Sequence, residues 1–498
     1  MSKKKAIIVG AGIAGIATAI RLANVGIEAE IIEASDKPGG KLAEIRQDGF
    51  RFDMGPSLFT LPELTDEITA LAAEGFISDF AYEKLPVVTK YFWQDGTTVN
   101  AYAQPEKLAE ELEKKIKLPE QKTKAFLQNS RKIYELTSDV FLTRSLHNWE
   151  TYFSKAAFKG YFSVRTVNPF GNMHRFNENF FKNAKAVQLF DRFATYNGSN
   201  PFEAPATLNV IPHLEHNLGA FFPKAGMRSI IEHFIKVAES LNVKISTGER
   251  VIEIEHDKKR IKGVKTDKRT LPADIVVCNA DMRFAYKHLI KHVSPPHRVI
   301  NAPKSSSALI FYWAMKGNYP QFDLHNIFFS EDYAREFDCM FREKNISDDP
   351  TVYLFISSKF CAADAPEGCE NWFVMVNAPE NTGQDWDDII LRTRKSIEAK
   401  LQKFTGVNLE ENRIFEHILD PRGIEARTSS SGGSLYGNSS NNVFAAFLRH
   451  PNYSSKLKGL YFAGGSVHPG GGIPLCLLSA KITSEMIQKN LSRLIREK

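Results

Sequence analysis

Three stretches of this sequence predict a mixed α/β (α+β) fold built on a parallel sheet that the chain leaves and later rejoins. In the first, MSKKKAIIVGAGIAGIATAIRLA, the strand Ala6-Ile7-Ile8-Val9 runs directly into glycines at 10, 12 and 15 and then into a helix. The second, residues 221–281, reads as a turn at Gly226, an amphipathic helix, a strand at 243–246 and a strand pair with alternating apolar residues. It closes on the buried run Ile275-Val276-Val277-Cys278. In the third, Leu460-Tyr461-Phe462-Ala463 leads into AGGSVHPGGGIPLCLLSAKI, residues 463–482, which passes through glycines into an apolar helix opened by Ile473 and Pro474.

The bulk properties agree with a globular chain of two or three domains: 498 residues, 43% hydrophobic and 24% charged. A net charge of +6 is too diluted to imply nucleic acid, though it suits an anionic membrane surface. Cys278, Cys339, Cys361, Cys369 and Cys476 form no CxxC pair, which predicts reduced thiols in a cytosolic protein, with neither a metal site nor disulfides. The three lysines before an apolar N-terminal run also fit a secretion signal, but such a signal has no need of glycines at fixed offsets, so strand, turn and helix is the reading kept. No run of about 18 apolar residues exists, so no membrane-spanning helix is expected.

The chemistry of the first loop follows from its spacing. Gly10, Gly12 and Gly15 let the backbone approach a pyrophosphate, and the helix start around Ala14 offers free N–H groups and partial positive charge. A helix over 13–24, a strand over 28–32 and the acidic Glu33 follow in the order a dinucleotide site requires, with Glu33 placed to bind both ribose hydroxyls and to repel a 2′-phosphate.

Glu33 begins the pattern E-x(5)-GG-K, which ends at Lys41, and Phe52-Asp53-Met54-Gly55-Pro56 follows. This combination resembles the flavin amine oxidase and carotenoid desaturase superfamily. The resemblance implies FAD on a Rossmann-like domain of the flavin amine oxidase and GDI-like type, interrupted by a substrate domain. It places Lys41 on the pyrophosphate, Gly55 and Pro56 beside the isoalloxazine ring, and the Val251 backbone against adenine. Residues 1–90, 216–300 and 413–498 are expected to form the FAD domain, and 91–215 with 301–412 the substrate domain. The biased tract 428–442 is expected to be an ordered turn near the flavin, a flexible linker being the alternative.

GGSVHPGGGIPLCLLSA resembles the C-terminal signature of bacterial phytoene-desaturase-type carotenoid desaturases, and ATYNGSNPFEAPAT at 194–207 is similar to a central family segment, nearest the hydroxycarotenoid 3,4-desaturases. Gly465, Gly472, Ile473 and Pro474 would then hold the flavin ring, the helix start stabilising charge that develops on it. The implied activity is FAD-dependent removal of two hydrogens from a long carotenoid. Arg192, Tyr196 and His468 are candidate flavin-facing groups, none assigned as a base. Residues 151–185 interleave aromatics such as Phe158 and Phe162 with Lys155, Lys159, Arg165 and Arg175, as expected of a peripheral contact at the inner face of the membrane or of a substrate tunnel lining. Phytoene desaturation, isomerisation or saturation of carotenoids, and prenyl-lipid carriage as in Rab-escort proteins remain as rival activities.

Overall fold

The computed structural model describes residues 4–153, 168, 170–441 and 449–496 of the chain. Its first sheet is five-stranded and wholly parallel, in the order Leu460–Phe462, Ile275–Cys278, Lys5–Val9, Glu28–Ile32, Lys244–Ser246. The helices Ile13–Asn24 and Ser229–Ser240 cover one face of it, and Ile473–Arg496 packs along Ile13–Asn24. All three stretches that announced the fold therefore meet in one sheet, and the helix 13–24 and strand 28–32 fall where their pattern put them. The other face carries a three-stranded antiparallel sheet, Val251–His256, Ile261–Thr266 and Thr270–Pro272, around a separate apolar core.

A second, seven-stranded sheet runs in the order Arg413–Leu419, Ser307–Lys316, Cys369–Ala378, Val352–Ile356, His325–Phe328, Val87–Phe92, Thr98–Tyr102. Its strand 307–316 is buried on both faces except at its last residue, and its alternation divides it between two cores. Ala308, Ile310, Tyr312 and Ala314 join the core shared with the parallel sheet, whereas Leu309, Phe311, Trp313 and Met315 pack toward helix Trp386–Thr405. The sheet takes strands from both sides of the boundaries expected at residues 90 and 413: Val87–Phe92 crosses the first, and Arg413–Leu419 is an edge strand paired with Ser307–Lys316. Partner choice at a sheet edge depends on tertiary contacts, so those boundaries carried no local signal.

Of the segment 151–185, residues 154–167 and 169, with Lys155, Phe158, Lys159 and Arg165, lie outside the described residues. What is described continues into helices Met173–Phe181 and Ala184–Asp191, each N-capped by an asparagine side chain, Asn172 and Asn183. Phe153 and Phe170, 65% and 83% exposed, flank the segment. No described helix is long and apolar enough to cross a membrane.

Candidate cofactor and substrate site

The parallel sheet ends where its strands' carboxyl ends open into a cavity of about 1130 Å³. Small-molecule sites span roughly 300–1,000 Å³, so this cavity has room for a dinucleotide and part of a second long ligand. One wall is built from the predicted motifs: Gly10, Gly12, Ala14, Glu33, Lys41, Gly55, Pro56, Val251, Gly465, Gly472, Ile473 and Pro474 all line it.

Gly15 does not line the cavity and acts from behind. A Cβ there would stand 2.2 Å from the Gly10 carbonyl oxygen, so the absent side chain lets the helix meet the strand end. Gly12 is bridged to Gly39, bringing the GG turn over the helix start. The Glu33 carboxylate accepts from Ala11 N–H at 2.7 Å and Ser35 N–H at 2.8 Å, one bond to each oxygen, which fixes it and leaves lone pairs toward the cavity. At the far end Gly472 precedes helix Ile473–Arg496 with φ of 100°, and a Cβ on it would meet no atom within 4 Å, leaving an open cradle before free helical N–H groups. These features fit FAD.

Lys41 departs from its expected contact. Its Nζ donates to the Leu435 and Ser434 carbonyls at 2.8 and 3.2 Å. It is half-buried and lines the cavity, and burial lowers its pKa, partly offset by Asp281 and Cys476. Those contacts turn the ammonium toward the tract 428–442, away from the GG turn. Through residue 441 that tract is pinned, Ser305 N–H donating to the Gly437 carbonyl and Leu435 N–H to that of Ser306.

The cation at the GG turn is Arg228, which sequence reasoning missed. Its Nη1 donates to the carbonyls of Pro38 and, at 2.9 Å, Leu42. Asp53 holds its backbone N–H at 3.1 Å, and Asp53 is itself clamped by buried Arg51 at 2.9 Å. A signal existed: a cation at the start of helix Ser229–Ser240 opposes the helix dipole and calls for another reason to be there.

The opposite wall is one face of the seven-stranded sheet. Ala308, Ile310, Ile327, Phe373, Met375 and Leu419 make a flat apolar floor. Polar groups gather on one flank of it. Arg192 and Tyr196 share a short 3₁₀ turn, Arg192–Asn197, with Nη1 3.4 Å from the tyrosine oxygen. Arg192 also donates to Tyr91 Oη at 2.6 Å and to Glu215 at 3.4 Å, and Tyr196 donates to Glu215. Arg192 and Tyr196 line the cavity, and Arg192 also sits in a buried ion pair with Glu215. Glu215 balances the guanidinium, so the pair itself adds no net charge to this flank. Nearby, Ser57, Tyr353 and His325 form a second polar chain, also unforeseen from sequence because no local pattern marks it.

His468 is corrected. It is 2% exposed, lies off the cavity wall, and its Nε2 donates to the Arg144 carbonyl at 2.8 Å. Burial lowers its pKa to about 4, so it is a neutral packing residue behind the flavin-side loop.

Known proteins agree with this geometry. The family of flavin containing amine oxidoreductases matches residues 13–488. The chain is 45% identical over 484 residues to a 1-hydroxycarotenoid 3,4-desaturase of Flavobacterium sp. (strain P99-3), covering 97% of this chain and 99% of that one. It is 30% identical over 520 residues to a phytoene desaturase of Fusarium fujikuroi, covering 98% and 90%. Cyclohexylamine oxidase from Brevibacterium oxydans IH-35A shares the fold with a TM-score of 0.60 at 14% identity, over 98% of this chain and 100% of that one. With glycine motifs at both ends of the chain meeting in one dinucleotide-sized cavity and relatives matched end to end, this chain belongs to the flavin-containing amine oxidoreductases, in the branch of the carotenoid desaturases, and its cofactor is FAD.

Proposed function

We propose that this protein removes two hydrogens from adjacent carbons of a long carotenoid, the 3,4 bond of an acyclic, hydroxylated carotenoid being the preferred position. The observation that carries this reading is the continuity of the cavity, which runs from the dinucleotide motifs onto the apolar sheet floor without a dividing wall. The 45% identity to a 1-hydroxycarotenoid 3,4-desaturase over nearly the whole of both chains supports the position.

In this reading Gly10, Gly12, Ala14 and Arg228 hold the pyrophosphate, Glu33 the ribose, Val251 the adenine, and Gly55, Pro56, Gly465, Gly472, Ile473 and Pro474 the ring. Bound FAD supplies the hydride acceptor. The chain's own task is to lay the polyene flat on Ile310, Ile327, Phe373 and Met375, exclude water, and balance the Arg192 charge with Glu215. A conjugated chain delocalises the positive charge left by hydride loss, so the site needs orientation more than a strong base.

Because such substrates dissolve in bilayers, the reading includes a peripheral membrane contact on the cytoplasmic side. Support comes from the exposed rings of Phe153 and Phe170 beside a lysine- and aromatic-rich stretch.

Expression in carotenoid-producing cells tests the activity. The expected result is a product lighter by two hydrogens, with a red-shifted absorption, from a hydroxylated acyclic carotenoid. An unchanged mass points to isomerisation or carriage, a heavier product to saturation, and a purified protein without flavin absorbance to the prenyl-carrier alternative.

A further inference from the structure

On the proposed reading, one feature of the substrate lies next to the reaction. A hydroxyl on the carbon two bonds from the 3,4 bond has its oxygen within roughly 4 Å of the nearer reacting carbon, since three single bonds of about 1.5 Å separate them. Whatever recognises that hydroxyl must therefore stand beside the ring-holding turn at Gly55 and Pro56.

One polar chain among the described residues starts at that turn. Ser57 Oγ lies 2.6 Å from Tyr353 Oη, and the same oxygen lies 2.8 Å from His325 Nδ1. The chain thus crosses from the turn to the apolar floor, where Ser57, Tyr353 and His325 all line the cavity beside Ile327. His325 is 2% exposed, stacks on Phe355 with ring centroids 5.2 Å apart, and its Nε2 has no hydrogen-bond partner. Nearby, Arg192 Nε is likewise buried and unpartnered.

An unpaired buried nitrogen destabilises the site, and a ligand group that pairs it removes that cost. Burial, helped by the charge of Arg192, lowers the His325 pKa to about 3, so the ring is neutral at working pH and too weak a base to take the reaction's proton. A neutral ring whose Nδ1 is held by a tyrosine offers at Nε2 either one N–H or one lone pair, depending on which way the Ser57–Tyr353 hydroxyls are turned. A hydroxyl satisfies both cases, and a hydrocarbon satisfies neither.

We infer that His325, oriented by Tyr353 and Ser57, is the specificity residue that hydrogen-bonds a hydroxyl at the reacting end of the carotenoid and so selects hydroxylated substrates over the parent hydrocarbons. Hydrogen-bonding sites discriminate by leaving their own polar groups unpaired when the wrong ligand enters, and the orphan at Nε2 provides this here. Ile327 and the rest of the floor grip both kinds of chain equally.

The test uses FAD-loaded protein with a 1-hydroxylated acyclic carotenoid and the same carotenoid lacking the hydroxyl, both in liposomes. The ratio of kcat/KM for the two is measured in the wild type, His325→Leu and Tyr353→Phe. Binding of each carotenoid to dithionite-reduced protein, followed by its visible absorption, gives the same ratio without turnover. His325→Leu is expected to lower the preference for the hydroxylated carotenoid about tenfold or more, and Tyr353→Phe to lower it less, with flavin absorbance retained as the check on folding. An undiminished preference, or an equal loss on both carotenoids, overturns the inference. A wild type that desaturates neither carotenoid overturns the functional reading instead, and the binding ratio then judges His325 on its own.

Discussion

Arg51 and Asp364, 313 positions apart in the chain, are joined by two parallel hydrogen bonds, Nε to Oδ1 at 2.7 Å and Nη2 to Oδ2 at 2.8 Å. The same guanidinium holds Asp53, whose carboxylate fixes the backbone N–H groups of Met227 and Arg228. A residue of the connection between strands Val352–Ile356 and Cys369–Ala378 of the second sheet is thereby tied to the cation of the GG turn. All three charged groups are buried. Asp364→Ala leaves the buried Arg51 Nε without an acceptor, although Asp53 still balances the charge, and is expected to destabilise the protein by about 1–3 kcal/mol. FAD release, followed by flavin fluorescence during heating, should move to lower temperature together with unfolding.

Gly15→Ala forces a methyl to within 2.2 Å of the Gly10 carbonyl oxygen, a backbone atom that cannot turn aside. The helix start must back away from the strand end. The purified variant is expected to lose most of its bound FAD, read as the ratio of 450 nm to 280 nm absorbance.

Glu33→Ala removes the acceptor that fixes Ala11 N–H and Ser35 N–H as well as the proposed ribose contact. FAD affinity, titrated into deflavinated protein, should fall by about tenfold or more, because charge-assisted hydrogen bonds contribute roughly 1.5–3 kcal/mol each. Glu33→Gln, which keeps an acceptor oxygen, should fall between the two.

His450 and His468 are both driven by burial from the ordinary 6.5 to about 4. A histidine held neutral in the fold takes up its proton first in the unfolded chain. Its stabilising effect is complete above pH 6.5 and is lost as pH falls toward the folded value. Each ring should lower stability by about 1.4 kcal/mol per pH unit through that window. Urea unfolding at pH 7, 6 and 5 measures the slope, and His468→Asn should make it shallower.

Phe153→Ser with Phe170→Ser alters two exposed rings. Flotation with anionic liposomes should fall severalfold while FAD content stays unchanged. Undiminished flotation removes the peripheral-contact reading.

What the sequence made legible was local. Gly10, Gly12, Gly15 and Glu33 are spaced by the geometry of one strand, turn and helix, so their roles follow from order alone. Lys41 sits in an equally local motif, yet its partners are carbonyls nearly 400 positions away, and no spacing rule predicts which of two neighbouring backbones a flexible ammonium will reach. His325 lies in the short strand His325–Phe328 and gains meaning only beside Tyr353 and Ser57, which arrive from a neighbouring strand and a distant turn. Arg228 was the one missed residue with a local clue, its charge standing at the wrong end of a helix.

The order of strands in the parallel sheet has a consequence for biosynthesis. Lys5–Val9 leaves the ribosome well before its neighbour Ile275–Cys278, and the edge strand Leu460–Phe462 comes later still. At about 5–20 residues per second, the early strands wait for tens of seconds with an unpaired apolar edge. The cofactor's two halves of the site cannot meet until translation has passed the final glycine loop. Nascent chains should therefore depend on chaperone protection before that loop is made and on flavin supply only after it, so that FAD shortage would be felt as accumulation of aggregation-prone protein and not as stalled synthesis.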